Sequence, residues 1–174
     1  MNKHNIEPAS ALVKPMYFGL AINVFLPASL ILLAYYFEDH GFSGQLPDSQ
    51  RNLFFIIFAI VAASDATLAF FLRGRFFEKP VARSVETFAA DFTSAVMQVS
   101  LIVSAITASI AIVGLVFYLI GGGLEAMMLF CVVSVLAYQL TRPRIGYVEK
   151  ALERQEKFAE SHQWAPARDA SRQS

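Results

Sequence analysis

One acidic residue, Asp65, lies inside an otherwise apolar stretch of about twenty residues. A charged side chain near the centre of a bilayer costs about 2.5 to 3.5 kcal/mol on insertion scales, so such a residue needs a proton, a polar partner or water. Intramembrane carboxylates mark proton and cation pathways. Asp65 is therefore a candidate for proton or cation transport. The alternatives are a polar clasp that fixes the register of helices, and contact with a partner subunit.

Other polar residues fall near the depth of Asp65 when positions are counted along the apolar stretches: Asn23, Ser104, Thr107 and Ser134. Pro27 predicts a helix kink and leaves the carbonyl of Asn23 without its usual donor. A protonated Asp65 could donate to that carbonyl, and an ionised Asp65 could accept from the Asn23 amide. The sequence predicts a polar layer across a helix bundle, serving as a structural contact or an ion site.

Candidates for catalysis are few. The three histidines, His4, His40 and His162, lie far apart in tails or loops, and the single cysteine, Cys131, has no cysteine partner in the chain. We predict no catalytic residues, no metal site and no cofactor. Nucleic-acid binding has no support beyond basic loops, which membrane topology explains.

Four apolar stretches must position these residues: 17–37, 53–72, 92–120 and 123–140. Each is about long enough to cross a hydrocarbon core of roughly 30 Å at about 1.5 Å per residue. Of all residues, 56% are hydrophobic and 16% charged, against about 25% charged in a soluble domain. We predict an all-α integral membrane four-helix bundle over residues 17–140, built as two antiparallel hairpins.

Basic residues predict its orientation. Thirteen of the 14 Lys and Arg residues lie in the N-terminal tail, the connection between the second and third stretches, and the C-terminal tail, whereas Arg51 alone lies on the other side. The positive-inside rule then places both termini in the cytoplasm. We expect a multi-pass protein of the bacterial inner membrane.

The flanking segments have separate predictions. Residues 1–16 are expected to be a cytoplasmic tail, and 161–174 a disordered one. Between 141 and 160, the spacing of Ile145, Val148, Leu152 and Phe158 predicts a cytoplasmic amphipathic helix that lies on the membrane or pairs with a partner. Five basic residues near the span ends are expected to anchor to lipid headgroups: Arg73, Arg75, Lys79, Arg142 and Arg144.

The third stretch carries a stripe of small residues that would allow a close helix contact: Ser100, Ser104, Thr107, Ala111 and Gly114. The stripe is expected to face the same bundle, or alternatively a second copy or another subunit. At about 44 Å this helix exceeds the membrane core and should project or tilt. The glycines at 121–123 predict a tight turn before the fourth helix.

Within this third stretch, the run from Ala108 to Val116 resembles the helix around the essential carboxylate in the rotor-ring c subunit of rotary ATP synthases. The carboxylate itself is absent, because its position in that alignment is Ala108. The resemblance implies c-like packing of a helical hairpin, and the rest of the chain resembles small four-span bacterial membrane proteins. It does not imply rotary catalysis.

Two classes of function remain. The first is a non-catalytic accessory subunit or assembly factor of an inner-membrane complex, with the lipid bilayer and other membrane subunits, or further copies of itself, as partners. The second is an oligomeric proton or cation channel component that uses Asp65. An enzyme acting on a lipid or quinone comes third.

Overall fold

A computed structural model describes residues 8–42 and 44–166, which form five α-helices. These are α1 (Pro8–Asp39), α2 (Asp48–Arg75), α3 (Phe88–Phe117), α4 (Leu124–Thr141) and α5 (Ile145–Glu160). A 3-10 turn (Phe76–Glu78) follows α2, and a π-helical turn (Tyr118–Gly122) follows α3. Helices α1 to α4 are long and apolar enough to cross a membrane. The fold is therefore all-helical, as predicted.

Helix α3 is the centre of the bundle, because α1, α2 and α4 all pack against it. Helix α4 lies between α1 and α2 and contacts both, whereas α1 and α2 have little contact with each other in residues 8–42 and 44–166. The expected α1–α2 hairpin is therefore not a packed pair. Half of the most apolar part of α3 is buried (50%), against 11% for α2.

The turn between α3 and α4 depends on glycine. Gly121 and Gly123 have positive φ angles of 107° and 89°, a region that side chains with a Cβ rarely adopt. The loop between α1 and α2 lies directly on this turn, where the Gly44 N–H donates to the Leu119 carbonyl at 3.2 Å. Both connections therefore lie at one end of the bundle, which we call the glycine end.

The opposite end, here called the basic end, has its own apolar cluster. Buried aromatic residues of the α2–α3 connection and the start of α3 pack with Val148 and Leu152 of α5. Gln155 of α5 fixes the connection: its side-chain amide donates to the carbonyls of Phe77 and Lys79, and its oxygen accepts from the Val81 N–H. The apolar face of α5 is thus covered by this chain's own connection.

Several boundaries differ from the prediction. Helix α1 begins at Pro8 and so extends into the expected 1–16 tail, while the part of α1 apolar enough to cross a membrane begins at Tyr17, as predicted. Ile145 and Phe158 are less buried than Val148 and Leu152, so the apolar face of α5 is narrower than expected. The segment after α5 was expected to have little to pack, yet Trp164 contacts the cluster and Ala165 donates to the Ala82 carbonyl at 2.8 Å. The remainder, 167–174, lies outside the described residues.

Candidate functional site: two intramembrane polar contacts

The first polar contact joins α1, α3 and α4 through three fully buried side chains and the backbone carbonyl of a fourth buried residue, Ser104. Thr107 Oγ1 lies 2.8 Å from the acceptor Asn23 Oδ1, and Asn23 Nδ2 donates to the Gly19 carbonyl at 3.0 Å and to the Ser104 carbonyl at 3.4 Å. Ser134 Oγ donates to the Thr107 carbonyl at 2.7 Å. Asn23, Ser104, Thr107 and Ser134 all have 0% exposure. We call these four residues the closed layer.

Gly19 allows the helices to approach at this level. A Cβ at Gly19 would lie 2.3 Å from the Tyr138 hydroxyl oxygen and 2.7 Å from Ser104 Oγ. The hydroxyl groups of α3 and α4 therefore occupy the space that a larger α1 residue would need. Helix α1 continues through Pro27 without a break, and Cys131 Sγ lies 3.9 Å from the Pro27 carbonyl oxygen.

The small-residue stripe of α3 lies inside the chain. All five of its members are buried. Ser100 donates to the Pro15 carbonyl of α1 at 3.1 Å, and a Cβ at Gly114 would lie 2.5 Å from Phe130 Cβ of α4. The stripe therefore serves the α1 and α4 contacts, and it offers no free surface to a second copy.

Asp65 makes the second polar contact, away from the closed layer. Ser109 Oγ of α3 lies 2.7 Å from Asp65 Oδ2 and 2.6 Å from the Ile106 carbonyl, so its single proton is shared between two acceptors. Both side chains are half-buried. Asp65 lies ten residues before the end of α2, about 15 Å along the helix axis and so about half the thickness of a hydrocarbon core.

The structure does not bring Asp65 and Asn23 together. Asn23 lies on the α1 side of α3, whereas Asp65 approaches α3 from α2, and Thr107 and Ser109 lie about 200° apart around α3. The two contacts share a similar depth but face different directions. The predicted Asp65–Asn23 hydrogen bond is therefore wrong.

Two of the predicted headgroup anchors make contacts at the basic end. The Arg73 guanidinium donates to the Leu140 carbonyl at 3.1 Å and stacks 4.7 Å from the centre of the Tyr147 ring. The Tyr147 hydroxyl in turn donates to the Arg73 carbonyl, and burial raises the pKa of Tyr147 to about 12. Arg144 donates to the Gln139 carbonyl at 3.4 Å. Arg73 therefore connects α2, α4 and α5.

The remaining anchors differ in their contacts. The Arg75 guanidinium lies over the Phe71 ring of its own helix at 4.2 Å, and the Lys79 carbonyl accepts from Gln155. The backbone N–H of Arg142 donates to the Tyr138 carbonyl at 2.8 Å and ends α4. Contact of these side chains with lipid headgroups stays a prediction.

A cavity of about 340 Å³ lies at the basic end, beside the first turns of α3. Its wall includes Arg83 and Asp91, which form an ion pair at 2.6 Å, and the exposed side chains of Ser94 and Gln98. The hydrogen bond to Asp91 raises the pKa of the Arg83 guanidinium. Because the carboxylate and guanidinium satisfy each other, the pair leaves little net charge for an anionic ligand.

Sequence reasoning missed three residues that organise these contacts: Gly19, Ser109 and Gln155. Ser109 carried a signal, because it lies in the apolar stretch of α3 near the depth of Asp65. Gly19 and Gln155 act through close approach and through backbone groups of a distant segment, which residue spacing along the chain does not reveal.

Residues 8–42 and 44–166 contain no group of three or more His, Cys, Asp or Glu side chains placed to hold a metal ion. Chemically, the Asp65–Ser109 contact can accept or release a proton, or pair with a cation or a hydrogen-bond donor. No protein-family profile, no curated protein and no solved structure matches this chain.

Proposed function

We propose that this protein is a small, non-catalytic subunit or assembly factor of a larger complex in the bacterial inner membrane, with both termini in the cytoplasm. The observation that carries the proposal is the uneven covering of its helices. Helix α3 is enclosed on one side by α1, α4 and α2, while α2 has only two buried residues, Ala62 and Ala69, and bears the half-buried carboxylate of Asp65. A carboxylate at that depth is favourable when a partner completes its contacts.

The arrangement of polar groups favours a binding role over a chemical one. In the closed layer, the side chains of Asn23, Thr107 and Ser134 are hydrogen-bonded within the bundle, and Arg83 and Asp91 pair with each other. The proposed orientation rests on the distribution of Lys and Arg, which cluster at the end that holds the α2–α3 connection and α5.

The experiment is recovery of the chain at its natural expression level with a C-terminal affinity tag, in a mild detergent, followed by native mass measurement. We expect defined foreign membrane subunits in fixed ratio. The matched control is an equally tagged, unrelated four-span protein, which reports non-specific recovery. A lone monomer after extraction into lipid nanodiscs would contradict the proposal.

A second candidate function is an oligomeric channel or transporter component that moves a proton or cation through Asp65. The observation in its favour is that Asp65 is half-buried rather than enclosed in the closed layer. It predicts that vesicles containing the purified protein pass protons or cations and that Asp65→Asn stops this flux. The matched control is Ser64→Ala, because Ser64 is exposed on the same helix and donates only to its own helix at Ile60.

A further inference from the structure

One face of α3 is left uncovered along most of its length. Its residues recur at spacings of four and three, as do the contact positions of a helix that packs against another helix. We call it the outer face of α3, and it comprises Gln98, Ile102, Ala105, Ser109, Ile112 and Val116. The three large apolar members are 41% to 46% exposed. This face lies opposite α4, on the side where α1 and α2 do not meet.

The middle of the outer face is shaped for close approach. Ala105 and Ser109 are four residues apart and both small, the arrangement that lets the backbones of two membrane helices come near. Ile102 and Ile112 lie on either side of this pair on the same face. They would flank the point at which another helix crosses α3. The small pair of the outer face differs from the buried small-residue stripe, because Ala105 is exposed.

Asp65 lies at the same crossing point, because its carboxylate is bound to Ser109. Among the described residues, Ser109 provides the one hydrogen bond to that carboxylate, and no described cation pairs with it. The stretches 17–37, 53–72, 92–120 and 123–140 contain no Lys, Arg or His. A second copy of this chain therefore brings no cation to this depth, and a lipid acyl chain offers neither charge nor hydrogen-bond donor.

We infer that the outer face of α3 receives one transmembrane helix of a partner subunit, and that this helix carries a Lys or Arg that pairs with Asp65. The helix crosses α3 at Ala105 and Ser109, beside α2. The inference rests on the proposed subunit function, and it adds the chemistry of the partner. Charge complementarity selects the occupant, and the small pair explains how its backbone comes near enough for the side chains to meet.

A designed helix tests the contact without knowledge of the natural partner. The probe is a 23-residue helix of Leu and Ala with one central Lys, and its matched control carries Leu at that position. Both bear a dansyl acceptor, and the single tryptophan of the full chain, Trp164, serves as the energy donor in phosphatidylcholine vesicles. We expect half-maximal transfer at an about tenfold lower peptide-to-lipid ratio for the Lys helix.

Variants of the chain identify the surface. Asp65→Asn should abolish the preference for Lys over Leu, and Asp65→Glu should keep it. Ala105→Phe should weaken binding of both helices, whereas Leu136→Phe on the exposed side of α4 should change neither. Circular dichroism and native mass are measured to check that each variant is folded. Equal transfer from both helices in the wild type, or a preference that survives Asp65→Asn, would overturn the inference.

Recovery of the natural complex separates this inference from the proposed function. If foreign subunits accompany the wild type and are lost with Asp65→Asn and Ala105→Phe but kept with Leu136→Phe, both stand. If every variant keeps the subunits, the proposed function stands and the inference fails. If the wild type brings no foreign subunit, the proposed function fails, whatever the designed helix does. A homodimer that depends on Asp65 would replace the partner helix with a second copy and so overturn the inference.

Discussion

The closed layer and the Asp65–Ser109 contact lie at similar depth in one bundle, yet they are built in opposite ways. In the closed layer, side chains from three helices are fully buried, and those of Asn23, Thr107 and Ser134 bond to one another or to backbone carbonyls. In the second contact, a carboxylate meets one hydroxyl group, and both residues are only half-buried. A buried polar network stabilises a fold when its groups have hydrogen-bond partners. An intramembrane carboxylate with a single donor does not stabilise the fold in this way. The closed layer therefore holds the chain together, and the open contact is available for binding.

The largest expected effect comes from filling the space that Gly19 leaves for the closed layer. Gly19→Ala places a methyl group 2.3 Å from the Tyr138 hydroxyl oxygen and 2.7 Å from Ser104 Oγ, so α1 or these two buried side chains must shift. We expect the free energy of unfolding to fall by about 2 to 3 kcal/mol, in the range of overpacked cores. Unfolding by SDS in mixed micelles measures this change.

Gly74→Ala is the matched control, since nothing lies within 4 Å of a Cβ at that position of α2. Alanine is the better helix former, so this change should leave stability equal or raise it by up to about 1 kcal/mol. Equal losses for the two variants would show that close approach at Gly19 does not hold α1 in place.

The next effect comes from removing a hydrogen bond of the closed layer without changing its volume. Thr107→Val leaves Asn23 Oδ1 without its donor in a fully buried position. We expect a loss of about 1 to 2 kcal/mol in the same unfolding measurement. Thr67→Val is the control, because Thr67 is exposed and donates only to the Ala63 carbonyl of its own helix. Its effect should stay below about 0.5 kcal/mol.

The closed layer and the Asp65–Ser109 contact also show how much of the structure can be predicted from the sequence. Hydropathy predicts four long apolar helices, and counting along them places Asn23, Thr107 and Ser134 at one depth, where they do meet. Depth follows from residue number, because each residue advances the helix by about 1.5 Å. The polar layer could therefore be predicted in part.

The direction in which a residue faces around its helix could not be predicted in the same way. It depends on which helices are neighbours, and the assumed α1–α2 hairpin placed Asp65 on the Asn23 side of α3. The structure has α4 between α1 and α2, so Asp65 meets Ser109 instead. The position of α5 could not be predicted either. Gln155 binds backbone groups of the α2–α3 connection, some 75 residues earlier, and the sequence does not specify the shape of that connection.

Replacing Asp65 should not lower the free energy of unfolding, in contrast to the changes in the closed layer. Asp65→Leu removes an intramembrane acid from a half-buried site, so we expect the free energy of unfolding of the isolated chain to stay unchanged or to rise by up to about 1 kcal/mol. Asn23→Leu, the matched change in the closed layer, should instead cost about 2 kcal/mol, because buried donors and acceptors lose their partner. The comparison between the regions fails if Asp65→Leu destabilises the chain as much as Asn23→Leu.

The smallest expected effects come from replacing two serines. Ser134 donates to the Thr107 carbonyl, and Ser109 donates to Asp65. Ser134→Ala removes a hydrogen bond of 2.7 Å to the Thr107 carbonyl in the closed layer, and membrane helix contacts of this kind average about 0.6 kcal/mol. Ser109→Ala removes a hydrogen bond of the same length to Asp65, but the single Ser109 proton is shared with the Ile106 carbonyl, which lies closer at 2.6 Å. We therefore expect less than about 0.3 kcal/mol for Ser109→Ala, below the average for such contacts.

Thermal unfolding of both variants, each compared with the exposed control Ser64→Ala, measures the difference. A larger loss at Ser109 than at Ser134 would mean that the Asp65–Ser109 contact also holds the bundle together, and that α2 depends on it for its place against α3.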